Sequence, residues 1–191
     1  MRKVVFGVLV LALSALAVGS ALARGDDDDD LRATLNGYNE VIGPGSISTT
    51  GRGTFRAEIN RTTIEYTLTY SRLETAATQA HIHFAQRHVG GGIVAFLCGG
   101  GDKPPCPSPG GTVTGVIDAA DIIGPGGQGI EPGSFAEAVR ALRAGAVYVN
   151  VHSTRWPAGE IRGQIDDDGN KGRGKDDDDD DDNSGRGGGD D

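Results

Sequence analysis

The middle of the chain alternates between apolar and polar residues with a period of two. This alternation is typical of β-strands that bury one face. It is clearest in three segments, residues 55–59, 64–70 and 147–151. Turns rich in Gly and Pro separate such segments, at residues 43–45, 90–92, 109–111 and 124–127. About eight short strands of this kind predict a mainly β fold, an antiparallel, Greek-key-like sandwich or flattened barrel.

One segment has a helical pattern instead. Ser134 and Glu137 have the spacing of a capping box, and good helix formers continue from there to Arg143. Gly145 is a typical helix stop. The sequence therefore predicts one short helix between Ser134 and Gly145.

The amino terminus has the pattern of a targeting segment. Arg2 and Lys3 precede an apolar run over residues 4–18, and small residues at Ala21 and Ala23 form a cleavage site. The apolar run is shorter than the ~20 residues of a spanning helix, which disfavours an uncleaved membrane anchor. We therefore expect residues 1–23 to be a signal peptide, and the protein to be secreted or periplasmic without a membrane span.

The net charge of −9 is concentrated outside the patterned region. Residues 31–165 carry 11 basic and 10 acidic residues, whereas residues 24–30 and 166–191 are rich in Asp. Such runs predict an acidic linker at 24–30 and a disordered Asp/Gly-rich tail at 166–191, on either side of one domain at 31–165. The absence of a concentrated basic charge excludes a nucleic-acid binder. The Asp runs serve solubility or, as an alternative, weak capture of divalent cations such as calcium.

Two cysteines follow the predicted signal peptide. Cys98 and Cys106 flank a segment made only of turn-forming residues. An exported protein can form disulfides, and the spacing suits neither a zinc knuckle nor a redox pair. We predict a local disulfide between Cys98 and Cys106.

The polar residues of greatest chemical interest lie on predicted strands. His81 and His83 are two residues apart and therefore share one face of their strand. A hairpin is predicted between residues 147–152 and 159–165. A register that sets Val151 opposite Ile161 makes both faces of that hairpin self-consistent.

This register also predicts the polar face of the hairpin. It sets Asn150 opposite Arg162 and His152 opposite Glu160. In the network we expect, Glu160 orients His152, while Arg162 binds Asn150 or backbone carbonyls. His81 and His83 join this face if their strand lies nearby.

The same segments carry a family resemblance. They read Leu31-Arg32-Ala33-Thr34-Leu35-Asn36-Gly37 followed by Asn39-Glu40-Val41, Ala80-His81-Ile82-His83, Tyr148-Val149-Asn150-Val151-His152-Ser153 and Pro157-Ala158-Gly159-Glu160-Ile161-Arg162-Gly163-Gln164. In these segments the chain resembles the CHRD domain, the module named for chordin and found in many secreted bacterial proteins. The chain departs from the family at Ile42-Gly43, where prolines are usual, and at Ser153, where Thr is frequent. The resemblance implies an extracellular β-sandwich domain and no particular activity.

Two main hypotheses on function remain open. In the first, the protein is a non-catalytic binding or structural module for an unknown extracellular protein or surface ligand, and Asn150, Glu160 and Arg162 form a structural polar network. The sequence contains no nucleophile elbow, metalloprotease motif or P-loop, so an enzyme is not expected. A hydrolase that uses Glu160 with a histidine lacks a second carboxylate or a nucleophile.

In the second hypothesis, His81, His83 and His152 form a copper or zinc site. Three histidines on strands are a feasible ligand set for either metal. The arrangement is similar, by analogy only, to that of the copper-zinc superoxide dismutases, whose further His and Asp ligands are not recognisable here. His88 is expected on an exposed loop.

Overall fold

The computed structural model describes residues 30–167, and they form a mainly β domain. The strands are β1 Asp30–Asn36, β2 Arg52–Ile59, β3 Ile64–Ser71, β4 Ala77–Phe84, β5 Gly92–Cys98, β6 Gly111–Ile117, β7 Val147–Ser153, β8 Ile161–Gln164 and β9 Asp166–Asp167. The described helix α1 spans Phe135–Arg143.

All strands belong to one antiparallel sheet. Eight of them follow the order β5-β4-β7-β8-β1-β2-β3-β6, and β9 pairs with β1. The sheet curls until β5 and β6, at its two ends, approach each other, so it is nearly closed into a barrel. This confirms the predicted fold class.

The core lies inside the barrel because alternate residues of each strand point inward. β2 and β3 alternate between buried and exposed positions along their whole length. The inward side chains that are at most 1 % exposed include Leu35, Phe55, Leu68, Ile82, Leu97, Val149, Val151 and Ile161.

The free edge of β5 is bonded by groups from other parts of the domain. The Val94 carbonyl accepts a hydrogen bond from the backbone N–H of Ile123 at 2.9 Å. The Leu97 carbonyl accepts one from the Tyr66 hydroxyl at 2.7 Å. These groups of the edge strand are therefore satisfied without another strand.

The loop from β5 to β6 closes the gap between the sheet ends. The predicted disulfide is present, and it joins Cys98 at the end of β5 to Cys106. From the same loop, Lys103 Nζ donates to the Val116 carbonyl on β6 at 3.0 Å and pairs with Asp121 at 2.7 Å. The loop thus ties the two edge strands together.

The helix lies where the sequence predicts it, but its cap differs. Ser134 makes no side-chain capping bond, because its backbone is not in the extended conformation of a capping residue. A capping box forms instead at a short 3-10 turn, where Asp118 and Asp121 each accept a backbone N–H. Gly145 follows α1 with φ +64, as expected for a helix stop.

The strand pairing includes residues on either side of 31–165. β1 begins at Asp30, and Asp166 and Asp167 pair with β1 beyond the predicted boundary at Ile165. Arg87 holds Asp166 in place through both carboxylate oxygens, at 3.0 and 3.1 Å.

The remaining terminal predictions fall outside the structure. The signal peptide at 1–23, most of the linker at 24–30 and nearly all of the tail at 166–191 lie beyond the described residues. Within residues 30–167, no helix is long and apolar enough to cross a membrane.

Candidate functional site

The outward side chains of β7, β8 and the second half of β4 are buried, although they point away from the core. All seven residues of β7 are buried, on both of its faces. Segment 85–91 covers these outward side chains on one side, and segment 157–159 covers them on another, through hydrogen bonds described below. We call this region the covered face. It consists of His81, His83, Tyr148, Asn150, His152, Arg162 and Gln164.

Strand pairing puts Asn150 at the centre of the covered face. The predicted hairpin register is confirmed, because Val151 pairs with Ile161 and Asn150 with Arg162. On its other side β7 pairs with β4, and there Asn150 lies opposite His81. The histidine strand therefore does join the polar face of the hairpin.

The structure brings the three candidate metal-ligating histidines together. One ring nitrogen from each of His81, His83 and His152 lies within 4.8 Å of the other two. The His81 ring centroid is 5.3 Å from that of His83 and 4.6 Å from that of His152. His81 is 2 % exposed, and His83 and His152 are each 9 % exposed.

Each histidine ring contacts an oxygen acceptor through one nitrogen. The contacts are His83 Nδ1 with the Gly91 carbonyl (2.9 Å), His152 Nδ1 with the Pro157 carbonyl (2.9 Å) and His81 Nε2 with Gln79 Oε1 (3.2 Å). A carbonyl oxygen only accepts, so these nitrogens carry the protons. The lone pairs are then left on His81 Nδ1, His83 Nε2 and His152 Nε2. Among the described residues, the first two of these nitrogens are buried without a hydrogen-bond partner.

The third lone pair faces Asn150. Oδ1 of Asn150 lies 3.0 Å from His152 Nε2. Because both atoms are then acceptors, the contact is favourable only with a cation between them or with the amide turned by 180°. The Asn150 amide also acts on the pKa values of His81 and His83, so it is adjacent to all three rings.

Burial keeps the histidines neutral. Desolvation lowers the pKa of His81 from 6.5 to about 3, helped by its histidine neighbours. Desolvation lowers the pKa of His83 to about 4, and the positive charge of Arg162 adds to the effect. The pKa of His152 is lowered for the same main reason. At neutral pH the three rings are therefore unprotonated at one nitrogen, the form that binds metal ions.

Arg162 and Tyr148 extend the site to one side. The Arg162 guanidinium lies 3.4 Å from the Tyr148 ring centroid, and this ring stacks on His83 at 4.7 Å. Arg162 Nη2 donates to the carbonyls of Gln86 and Val89 at 3.2 and 2.8 Å. Arg162 thus binds backbone carbonyls, which was one of its predicted roles.

Glu160 does not orient His152, so that prediction is wrong. Glu160 Oε1 accepts hydrogen bonds from the Thr49 hydroxyl at 2.7 Å and from the Glu74 backbone N–H at 2.9 Å. β8 begins only at Ile161, and Gly159 just before it has φ +130, so the strand alternation does not extend to Glu160. Asn150 and the Pro157 carbonyl contact His152 instead.

Glu40 is a member of the site that the sequence analysis missed. It is 1 % exposed, and both of its carboxylate oxygens are buried without a hydrogen-bond partner among the described residues. Desolvation raises its pKa to about 7, while the charge of Arg162 and the Asn150 amide counteract that rise. A Cβ on Gly159 would lie 2.6 Å from Glu40 Oε1 and 2.9 Å from Asn150 Nδ2, so only glycine fits there. Glu40 lies outside the strands, where no periodicity indicates burial.

Comparison with known proteins gives one result. The family model described as the CHRD domain matches residues 31–165. No curated protein and no solved structure matches the chain.

Proposed function

The chain belongs to the CHRD domain family, and from this premise we propose that it is an exported, non-catalytic binding module whose ligand is a transition-metal ion, copper or zinc. The observation that carries the proposal is the convergence of His81, His83 and His152 with ring nitrogens within 4.8 Å of one another.

The donor chemistry fits such an ion. Neutral imidazole is a good ligand for copper and zinc, and three protein ligands are a frequent set for both. Histidines that bind metals almost always give their other N–H to a carbonyl or carboxylate, which fixes the ring. His83 and His152 do so through the carbonyls of Gly91 and Pro157.

A purely structural role for the histidines accounts less well for the site. Buried polar atoms in folded proteins nearly always have a partner, and an unpaired one costs about 1–3 kcal/mol. His81 Nδ1 and His83 Nε2 are buried without one in the described part of the chain. A metal ion bound by both nitrogens would remove this cost.

The covering loops favour binding over catalysis. Arg162 and Gln164 hold segment 85–91 against the covered face through its carbonyls. Histidines that are at most 9 % exposed can be reached by an ion more easily than by an organic substrate. The proposal therefore assigns no reaction to the site.

The test is the metal content of the purified, exported full chain. We expect about one equivalent of copper or zinc by mass spectrometry, and its loss in His83→Ala. His88→Asn is the matched control, because His88 is exposed and Asn tolerates its φ of +65. Equal metal content in His83→Ala and the control would refute the proposal.

The same experiment separates the histidine site from cation capture by the Asp runs. Those runs lie almost wholly outside the described residues, so their calcium binding stays a prediction. His83→Ala keeps every Asp of the chain. Any metal held by the tails therefore remains in that variant.

A further inference from the structure

We propose that the histidine site is selective for Cu(I) over divalent ions, and that the uncharged side chain of Asn150 sets this selectivity. This inference rests on the proposed function, because it assumes that the three histidines bind a metal ion.

The ligand cluster itself carries no negative charge, and the carboxylate of Glu40 lies beside Asn150 rather than among the histidine nitrogens. Among the described residues, the cluster of possible ligands contains three histidines and no carboxylate. The side chain that contacts the lone pair of His152 Nε2, at 3.0 Å, is the amide of Asn150. Asn150 occupies the central position, opposite His81 on one side and Arg162 on the other.

The positive charge of Arg162 acts directly on one ligand, His83. Arg162 stacks on Tyr148, Tyr148 stacks on His83, and the charge of Arg162 opposes a positive charge on His83. Glu40 lies beside Asn150, on the side of Gly159, and is attracted to Arg162, which balances part of its charge.

A buried site of this kind discriminates between ions by their charge. The cost of moving an ion from water into a medium of low dielectric constant rises with the square of the charge, and a buried charge without a counter-charge is expensive. A divalent ion bound by neutral imidazoles has no carboxylate ligand to supply such a counter-charge. Catalytic zinc sites with three histidines complete their coordination with water, to which the covered face gives little access. A monovalent ion has the lowest cost of burial in this site, and Cu(I) is a monovalent ion that imidazole binds well.

Asn150→Asp tests this by placing a carboxylate where the amide stands. The two side chains have nearly the same shape, so the ligand geometry is kept. We expect the ratio of Cu(I) to Zn(II) affinity to fall by about 100-fold, since one extra charge pair at short range favours the divalent ion. Full-length parent and variant are titrated without oxygen, with Cu(I) supplied as its acetonitrile complex against a chromogenic Cu(I) chelator, and with Zn(II) and Cu(II) in parallel.

The parent protein decides the Cu(I) assignment even if Asn150→Asp does not fold. We expect the parent to bind Cu(I) more tightly than Zn(II) or Cu(II), in a manner that His83→Ala abolishes. Tighter His83-dependent binding of Zn(II) or Cu(II) overturns the Cu(I) assignment and leaves the proposed metal site intact. An unchanged affinity ratio in folded Asn150→Asp overturns the role of Asn150. The absence of any His83-dependent ion overturns this inference together with the proposed function.

Discussion

The two halves of the barrel treat their outward side chains differently. On β1, β2, β3 and β6 the outward side chains are exposed, and we call this region the open face. It includes Arg32, Thr34, Thr54, Arg56, Thr67, Thr69, Thr112 and Thr114. On the covered face the outward side chains are also polar, but loops bury them.

This difference shows that the alternation of apolar and polar residues indicates which way a side chain points, but not whether it is buried. β3 and β7 both alternate along the chain, yet β3 is exposed at every second position and β7 at none. On the open face water satisfies the polar groups. On the covered face protein groups must do so, and His81, His83, Arg162 and Gln164 each keep a buried atom without a partner among the described residues. Buried polar atoms without a hydrogen-bond partner mark the covered face as a candidate binding site, whereas the open face is an ordinary solvated surface.

The largest difference in stability between the two faces should appear when one arginine on each face is replaced. Arg162→Met removes the donor to the Gln86 and Val89 carbonyls and the cation above Tyr148. We expect the free energy of unfolding to fall by about 4 kcal/mol, because buried acceptors and Glu40 lose their partner. Arg56→Met on the open face should cost less than about 0.5 kcal/mol. Urea denaturation measures both, and similar losses would contradict the distinction.

Acid should destabilise the covered face next most strongly. The pKa values of His81 and His83 are lowered to about 3 and about 4 from 6.5, so between these values the unfolded chain binds more protons than the folded one. The histidine contribution is present above pH 6.5 and is lost as the pH falls. Glu40 acts in the opposite direction, because its raised pKa favours the folded state on acidification, but it is one group against three, since the pKa of His152 is lowered as well.

We expect a net loss on the order of 3 kcal/mol between pH 7 and pH 4 in metal-free protein. Urea midpoints at several pH values measure it. His83→Gln should have a flatter profile, and a profile as steep as that of the parent would exclude His83 as a source.

The smallest effect is expected on the open face. Thr69 Oγ1 and Thr112 Oγ1 form an exposed hydrogen bond of 3.0 Å between β3 and β6. Thr69→Val keeps the branched shape and removes only the hydroxyl, so thermal unfolding should show a change below about 0.5 kcal/mol. A loss above 1 kcal/mol, as an order of magnitude, would mean that this ladder contributes as much as a buried contact.

The sequence predicts local and paired features well. The alternation located the strands, and the matching of Val151 with Ile161 gave the hairpin register, because a shift by one residue would set every valine opposite a polar residue. The pairing of β4 with β7 joins segments far apart in the chain and has no such local signal. Without it, the approach of His81 to Asn150 could not be derived.

The burial of the covered face could not be predicted from the sequence either. It depends on segments without periodicity, which contribute Glu40 and the carbonyls of Gly91 and Pro157. The assignment of Glu160 to His152 failed for the same reason, since it extended strand alternation into a turn. Strands can be predicted from the alternation of apolar and polar residues. The residues that line a site also depend on how the loops fold over the sheet, and the alternation does not indicate this.

The bonded edges of the sheet have a consequence for how the domain meets other molecules. An unpaired edge strand is a template on which a foreign chain can add a strand, either in recognition or in aggregation. Here Ile123 and Tyr66 occupy carbonyls of β5, and Lys103 occupies one of β6. Strand addition would first have to displace them. These three carbonyls of the edge strands are therefore not free to bind an added strand.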